Sequence, residues 1–392
     1  MASSGSQRGR DGDSAFDDGA TYFEAKLYTD DVPQYAVNGK IIDLSNDDRG
    51  QVDTWILCAT SSVSSQHADK YRGSLAAFGI GCLILDWPLG TLPTLAVLLA
   101  MAAPRVERFV LDHSQDPSAV TGIRSDLDAV AADGQFADLS KSLRSMIRDG
   151  SIGLGLAKEA NWSALTEAFS DRREARRVFG QPLAPMDKSG LPWAERPTLV
   201  QQVQAKVSGP PDDRVVLVLG GEGTGKSWLV AKGWSVSLQA PLLAAFMASD
   251  LSMPEAMNNI EELLISRLSS QAGDALTDII RRRWTRRFKG WRANPGPGHV
   301  RLVVWVDGLN QAVGFPWSRW IDGMARFLEK IGGRLIVTTN TWHYAQIRSM
   351  ITSPIDRILV EEWSESELKG ILDARGVKSD ALAADVFVRT RA

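Results

Sequence analysis

Arg214-Val-Val-Leu-Val-Leu-Gly-Gly-Glu-Gly-Thr-Gly-Lys-Ser-Trp-Leu-Val230 decides how the second half of this chain folds. A β-branched apolar run leads into a glycine-rich turn, then Lys226-Ser227, then a helical pattern. Gly220, Gly225, Lys226 and Ser227 stand at the G-x-x-x-x-G-K-S/T spacing of a phosphate-binding loop. Glycines let backbone N–H groups close around a polyphosphate, and the helix that starts there offers its positive end to the anion. The expected ATP contacts are therefore Gly220, Gly221, Glu222, Gly223, Thr224, Gly225, Lys226, Ser227 and Trp228. Lys226 would reach the β- and γ-phosphates, and Ser227 would ligate Mg²⁺.

On either side of this loop, apolar strand patterns alternate with helical ones. Strand Val215–Leu219, helix Ser227–Leu238 and strand Leu242–Ala248 are followed by helices through Arg287. Strand Leu302–Val306, helix Trp317–Ile331 and strand Arg334–Thr339 complete the pattern, which predicts a doubly wound parallel sheet. Val303-Val-Trp-Val-Asp307 has the form of a Walker B strand, a buried apolar run ending in a carboxylate that holds Mg²⁺. Gly333–Asn340 is a further strand ending in polar residues, where Thr339 or Asn340 could sense the γ-phosphate. Turn chemistry after a strand accounts equally well for either residue.

The order of these motifs, followed by Ile358-Leu-Val-Glu-Glu-Trp-Ser-Glu-Ser-Glu-Leu368, resembles the STAND class of signalling NTPases, and within it the NACHT-like members of prokaryotic antiviral defence. The resemblance runs from about Arg196 to the C-terminus. It implies an ATP-binding switch that forms homo-oligomers when triggered, with a phage protein as one kind of trigger, followed by a helical or winged-helix region. Two departures stand out. NACHT-like proteins carry further acidic residues after the Walker B aspartate, where this chain has Asn310 and Gln311, and a sensor-strand arginine is common where this chain has Asn340. Slow hydrolysis, suited to a switch, is the expectation.

At the other end, Arg8-Gly-Arg-Asp11-Gly-Asp13 precedes Thr21-Tyr-Phe-Glu24-Ala-Lys26. An acid on a turn, then E-x-K on an apolar strand, is the arrangement of PD-(D/E)xK nucleases. Alternation puts Glu24 and Lys26 on one face of the strand. Two carboxylates can hold Mg²⁺ while Lys26 polarises the attacking water. The segment Arg8–Gly12 resembles the first-acid turn of Mrr-like restriction endonucleases, making Asp11 the first choice and Asp13 the second, with DNA as the implied substrate. An exposed ion pair is the plain alternative for Glu24 and Lys26. Catalytic candidates are thus Asp11, Glu24, Lys26, Lys226 and Asp307, and metal candidates Ser227, Asp307, Asp11 and Glu24.

Length permits two or three domains in the 392 residues. We expect a small restriction-endonuclease-like α/β domain at 1–118, a helical linker at 119–195, a P-loop NTPase domain at 196–355 and the start of a helical region at 356–392. In the first of these, Thr21–Leu27, Thr54–Thr60, Cys82–Asp86 and Val106–Leu111 read as strands, and Ala68–Phe78 and Thr94–Ala103 as helices. A Pro- and Gly-rich stretch, Gln181–Pro197, marks an interdomain connection. Hydrophobic residues make up 44% and charged residues 23%, with a formal net charge of -3, so bulk electrostatics point to neither nucleic acid nor membrane. The N-terminus lacks an apolar signal core, and the apolar region Leu75–Ala103 is interrupted too often to span a bilayer. Cys58 and Cys82 read as core residues, and a cytoplasmic setting fits. The basic run Arg281–Arg292, with interleaved aromatics, reads as a solvated helix face with buried aromatics, with contact to nucleic-acid phosphates or an acidic partner surface as the alternative.

The resemblance also implies sequence beyond both ends, since a helix normally precedes the first acid and a sensing region follows the NTPase. Two other functional readings fit the same residues. One is a nucleotide-binding signalling scaffold with a degenerate effector domain; the other is an AAA+-like DNA-handling ATPase.

Overall fold

The computed structural model describes residues 12–16, 19–29, 31–45, 52–114, 116–150, 154–180, 196–210, 215–237, 240–251, 259–271, 276–293 and 298–374. In chain order these form β1 (Gly12–Phe16), β2 (Gly19–Lys26), α1 (Gln34–Ser45), β3 (Val52–Ala59), α2 (Ser65–Ala76) and β4 (Gly81–Leu85). Helices α3 (Thr94–Met101), α4 (Ala103–His113), α5 (Pro117–Ala132), α6 (Phe136–Gly150), α7 (Leu154–Ser170), α8 (Arg172–Phe179) and α9 (Pro197–Ser208) follow. Next come β5 (Val215–Gly220), α10 (Lys226–Ser235), β6 (Leu242–Met247), α11 (Ile260–Gln271) and α12 (Asp278–Ala293). The last elements are β7 (Leu302–Asp307), α13 (Trp317–Ile331), β8 (Gly333–Thr339), α14 (Thr341–Ile347), β9 (Ile355–Val360) and α15 (Glu365–Ala374). The protein is mixed α/β. Its described residues fall in two compact units, one within Met1–Leu156 plus Asp278–Gly290, the other within Ala157–Thr277 plus Trp291–Ala392.

The first unit holds a four-stranded sheet in the order β1-β2-β3-β4. Only the β1–β2 pair is antiparallel; β2, β3 and β4 run parallel, joined by the crossover helices α1 and α2. Trp55, Leu57, Tyr71, Val37 and Leu44 are buried together between sheet and helices, while α3 and α6 bring Val97 and Leu143 onto Leu83 and Leu85 of β4. Asp13 stands in β1 opposite Tyr22, so the D-G-D segment is not a turn at that residue. Asp11 lies outside the described residues. Val106–Leu111 is part of helix α4 rather than a strand. Its apolar residues Val106, Phe109 and Val110 recur three and four apart, a helical spacing, and Pro104 sits where a first helical turn tolerates it.

Most of α12 also belongs to this first unit. Trp284 and Phe288 are buried, Arg287 pairs with Asp53 at 2.8 Å, and Arg286 donates to the Leu44 carbonyl at 3.3 Å. The basic run therefore has a face turned into the protein, with Arg281, Arg282 and Lys289 on the exposed side. Gly79 makes the approach of α12 possible. It has φ +73°, and a Cβ there would sit 2.8 Å from the Arg283 nitrogen.

The second unit is built on an all-parallel sheet ordered β6-β7-β8-β5-β9. Every residue of β5, β6, β7 and β8 is buried, as predominantly apolar strands covered on both faces require, and the polar ends at Asp307, Thr338 and Thr339 are buried with them. Phe169 of α7 meets Phe179 of α8, Trp234 of α10 and Trp305 of β7 at centroid distances of 5.8, 6.1 and 5.7 Å. The stretch expected as a separate linker is thus shared out: α5 and α6 fall in the first unit, α8 and nearly all of α7 in the second. Of the connection expected at Gln181–Pro197, residues 181–195 lie outside the described residues, and Pro197 is the first residue of α9. Strand β9, inside the segment expected to open a helical region, hydrogen-bonds to β5. It alternates buried Ile358 and Val360 with exposed Arg357 and Leu359, the pattern of a half-covered edge.

At the opposite edge, two buried amides take the place of a neighbouring strand for β6. Asn161 accepts from Leu243 N at 2.9 Å and donates to its carbonyl at 3.1 Å. Gln271 accepts from Ala245 N at 2.8 Å and donates to the Leu243 carbonyl at 2.6 Å. Side chains thereby satisfy backbone groups that would otherwise be buried without partners.

Candidate functional site

Strand β5 ends at Gly220 and α10 begins at Lys226, so the loop 221–225 sits at the carboxyl end of a strand flanked by β8 and β9. Ligands of open parallel sheets bind at such ends. Gly223 and Gly225 have φ +74° and +88°, conformations that favour glycine. At Gly220 a Cβ would lie 2.4 Å from the Val360 carbonyl oxygen, so β9 also requires glycine there. Thr224 folds its hydroxyl back onto the Gly221 carbonyl at 3.0 Å, and the Lys226 ammonium donates to the carbonyls of Gly220 and Gly221. Burial lowers the Lys226 pKa from its ordinary value, against the opposing charges of Asp307 and Glu222. Glu222 is exposed, and Trp228 packs against the core of the unit.

Asp307, at the end of β7, lies within hydrogen-bond reach of Ser227, eighty residues earlier, with Oγ 2.8 Å from each carboxylate oxygen. Thr338 of β8 donates to Asp307 Oδ1 at 2.7 Å and accepts from Gly308 N at 2.8 Å. Asp307 is 5% exposed. Burial raises its pKa, while the hydroxyls of Thr338 and Ser227 and the charge of Lys226 pull it back. Hydroxyl and carboxylate oxygens converge here, a donor set that suits a hard cation such as Mg²⁺. Asn310 and Gln311 form a single turn of 3₁₀ helix directly after Gly308, and no Asp or Glu occurs between Asp307 and Asp322. Of the β8 residues, Thr339 is buried and Asn340 caps α14, accepting from His343 N at 2.7 Å. Thr338, which the sequence reading passed over, is the one that touches Asp307.

Two further residues grip the loop from outside, Trp363 of the quoted segment Ile358–Leu368 and Arg196, to neither of which the motif order assigns a role. Trp363, between β9 and α15, donates its indole N–H to the Gly223 carbonyl at 2.9 Å. Arg196, just before α9, stacks 3.9 Å from the centre of the Trp363 ring. It also donates to the Thr224 carbonyl at 3.3 Å, to the Glu361 carbonyl at 3.0 Å and to Glu367. Beside this group a cleft of about 520 Å³ is lined by Pro197, Leu199, Leu359, Glu361 and Glu362 among others.

In the first unit, Glu24 and Lys26 of β2 do share a face. Glu24 is 1% exposed, and its Oε1 accepts from Lys26 Nζ at 2.6 Å and lies 3.6 Å from Lys40 Nζ of α1. Its Oε2 is buried without a hydrogen-bond partner. An exposed ion pair is therefore the wrong description of this carboxylate. Among the described residues, no three His, Cys, Asp or Glu side chains come together as a metal group. Burial pushes the Cys82 thiol up to about 12, which fits a core residue rather than a reactive one. No helix among the described residues is long and apolar enough to cross a membrane.

Neither protein-family models nor curated protein sequences give a match to this chain.

Proposed function

We propose that the second unit binds ATP with Mg²⁺ at the β5–α10 loop and works as a slow nucleotide-dependent switch. The observation that carries this reading is the meeting of Ser227 with both carboxylate oxygens of Asp307 at 2.8 Å, at the mouth of a glycine loop that also holds Lys226. In that role Ser227 and Asp307 hold the cation, and Lys226 leaves the Gly220 and Gly221 carbonyls for phosphate oxygens. The neighbouring cleft of about 520 Å³ falls in the size range of small-molecule sites. The absence of a carboxylate between Asp307 and Asp322 supports slow turnover, since no acid in that stretch can orient a water. Binding of ATP to wild type and to Lys226→Ala tests the reading.

The buried, half-partnered Glu24 favours a second activity, Mg²⁺-dependent DNA cleavage by a restriction-endonuclease-like first unit. Glu24 Oε2 is the free oxygen such a cation would need, and Lys26 stands ready beside it. Together the readings describe a STAND-type defence protein in which a trigger drives self-assembly and brings effector units together. Plasmid cleavage with Mg²⁺ and ATP tests this part. Glu24→Gln should abolish cleavage and leave ATP affinity within about twofold, because the changed carboxylate serves only the first unit. Equal cleavage by wild type and variant would remove the nuclease assignment.

A further inference from the structure

We infer that Arg196 and Trp363 are positioning residues that aim the phosphate-binding amides of the loop, an inference that rests on the nucleotide reading above. Across a trans peptide the C=O of one residue and the N–H of the next point in opposite directions. Fixing a carbonyl outward therefore fixes the following N–H inward. The chain has no cis peptide among its described residues. Trp363 Nε1–H holds the Gly223 carbonyl at 2.9 Å, which orients the N–H of Thr224. Arg196 Nη1–H holds the Thr224 carbonyl at 3.3 Å, which orients the N–H of Gly225. Two consecutive amides are thus turned toward the side where an anion would sit.

The grip is itself secured. The Arg196 side chain is 6% exposed and is paired with Glu367 at 3.0 Å. Its guanidinium lies 3.9 Å from the Trp363 ring centre, a cation–π contact that places both donors together. The ring leaves no room for a side chain at Gly225, where a Cβ would come 2.9 Å from Trp363 Cζ2. Glycine at this position thus answers both the φ of +88° and the tryptophan. A loop whose amides are already aimed binds an anion without first ordering itself, the general origin of preorganised affinity.

Tripolyphosphate with Mg²⁺ probes the cradle, because it carries no base and cannot report on the adjoining cleft. Calorimetric titration should show Trp363→Phe, which keeps a ring but no N–H, binding about tenfold more weakly than wild type. Arg196→Lys keeps the charge without the planar fork and should show a similar loss, which covers the case of a tryptophan variant that does not fold. In wild type, the indole N–H resonance of Trp363, assigned by its disappearance in Trp363→Phe, should shift on saturation with tripolyphosphate. Unchanged affinity in both variants, or an indole resonance that does not move, would overturn the inference while leaving the nucleotide reading intact. Failure of wild type to take up either ATP or tripolyphosphate would instead remove the nucleotide reading itself.

Discussion

Thr338→Val tests the centre of the site, because valine matches the shape of threonine but has no hydroxyl. In wild type this hydroxyl donates to Asp307 Oδ1 at 2.7 Å and accepts from Gly308 N at 2.8 Å, with Thr338 itself 1% exposed. Losing a hydrogen bond to a charged group costs about 1.5–3 kcal/mol, and orphaning a partly buried N–H about 1–3 kcal/mol. The two losses overlap, so about 3 kcal/mol is the expected total. With a denaturation slope of about 3 kcal/mol/M, the urea midpoint of the second unit should fall by about 1 M. Thr338→Ser, which keeps the hydroxyl, should stay within about 1 kcal/mol of wild type. The deficit has a pH signature too. Burial has raised the Asp307 pKa, and removing its Thr338 partner raises it further. The folded state then holds a proton that the unfolded state has lost, so the valine variant should recover part of its stability as the pH falls toward the Asp307 pKa. A valine midpoint within about 0.2 M of wild type would refute this account of Asp307.

Asn161→Leu should destabilise the second unit by about 2 kcal/mol and speed hydrogen exchange at the Leu243 amide, which loses its acceptor. Unchanged exchange there would refute the edge-capping role. The His343 ring is buried, neither of its nitrogens has a hydrogen-bond partner, and burial lowers its pKa. Below about pH 6.5 the unfolded chain takes up a proton that the folded chain refuses, so stability should drop as the pH falls through that point. In His343→Leu, thermal melts at about pH 7.5 and 5.8 should lie closer together than in wild type, and an equal spacing would count against the burial argument.

What the sequence revealed was local. The loop between β5 and α10, the carboxylate at the end of β7 and strands β5 to β8 are legible as local structure because an apolar run leads into its own turn, with no partner needed to recognise it. Residues that act across the fold were not. Thr338 differs from Thr339 only in which one the strand aims at Asp307, and Arg196 meets Trp363 although 167 positions separate them. Val106–Leu111 reads as a strand in the sequence for a physical reason as well. Helix α4 has no buried residue, so its periodicity is not sharpened by a core face, and its β-branched residues suggested a strand. Strand β9 was missed because edge position leaves it half polar. Asn340 shows the reverse case, where ordinary helix-capping chemistry occupies a residue that motif order had marked for nucleotide.

The most direct test of the account is a calorimetric titration of Mg²⁺–ATP into wild type and Lys226→Ala. Wild type should bind at a single saturable site. Removing an ammonium that makes charge-assisted contacts to phosphate should weaken binding by about a hundredfold. Equal affinity in the two proteins, or no binding by wild type, would contradict the claim that the loop from Gly220 to Ser227 holds a nucleotide.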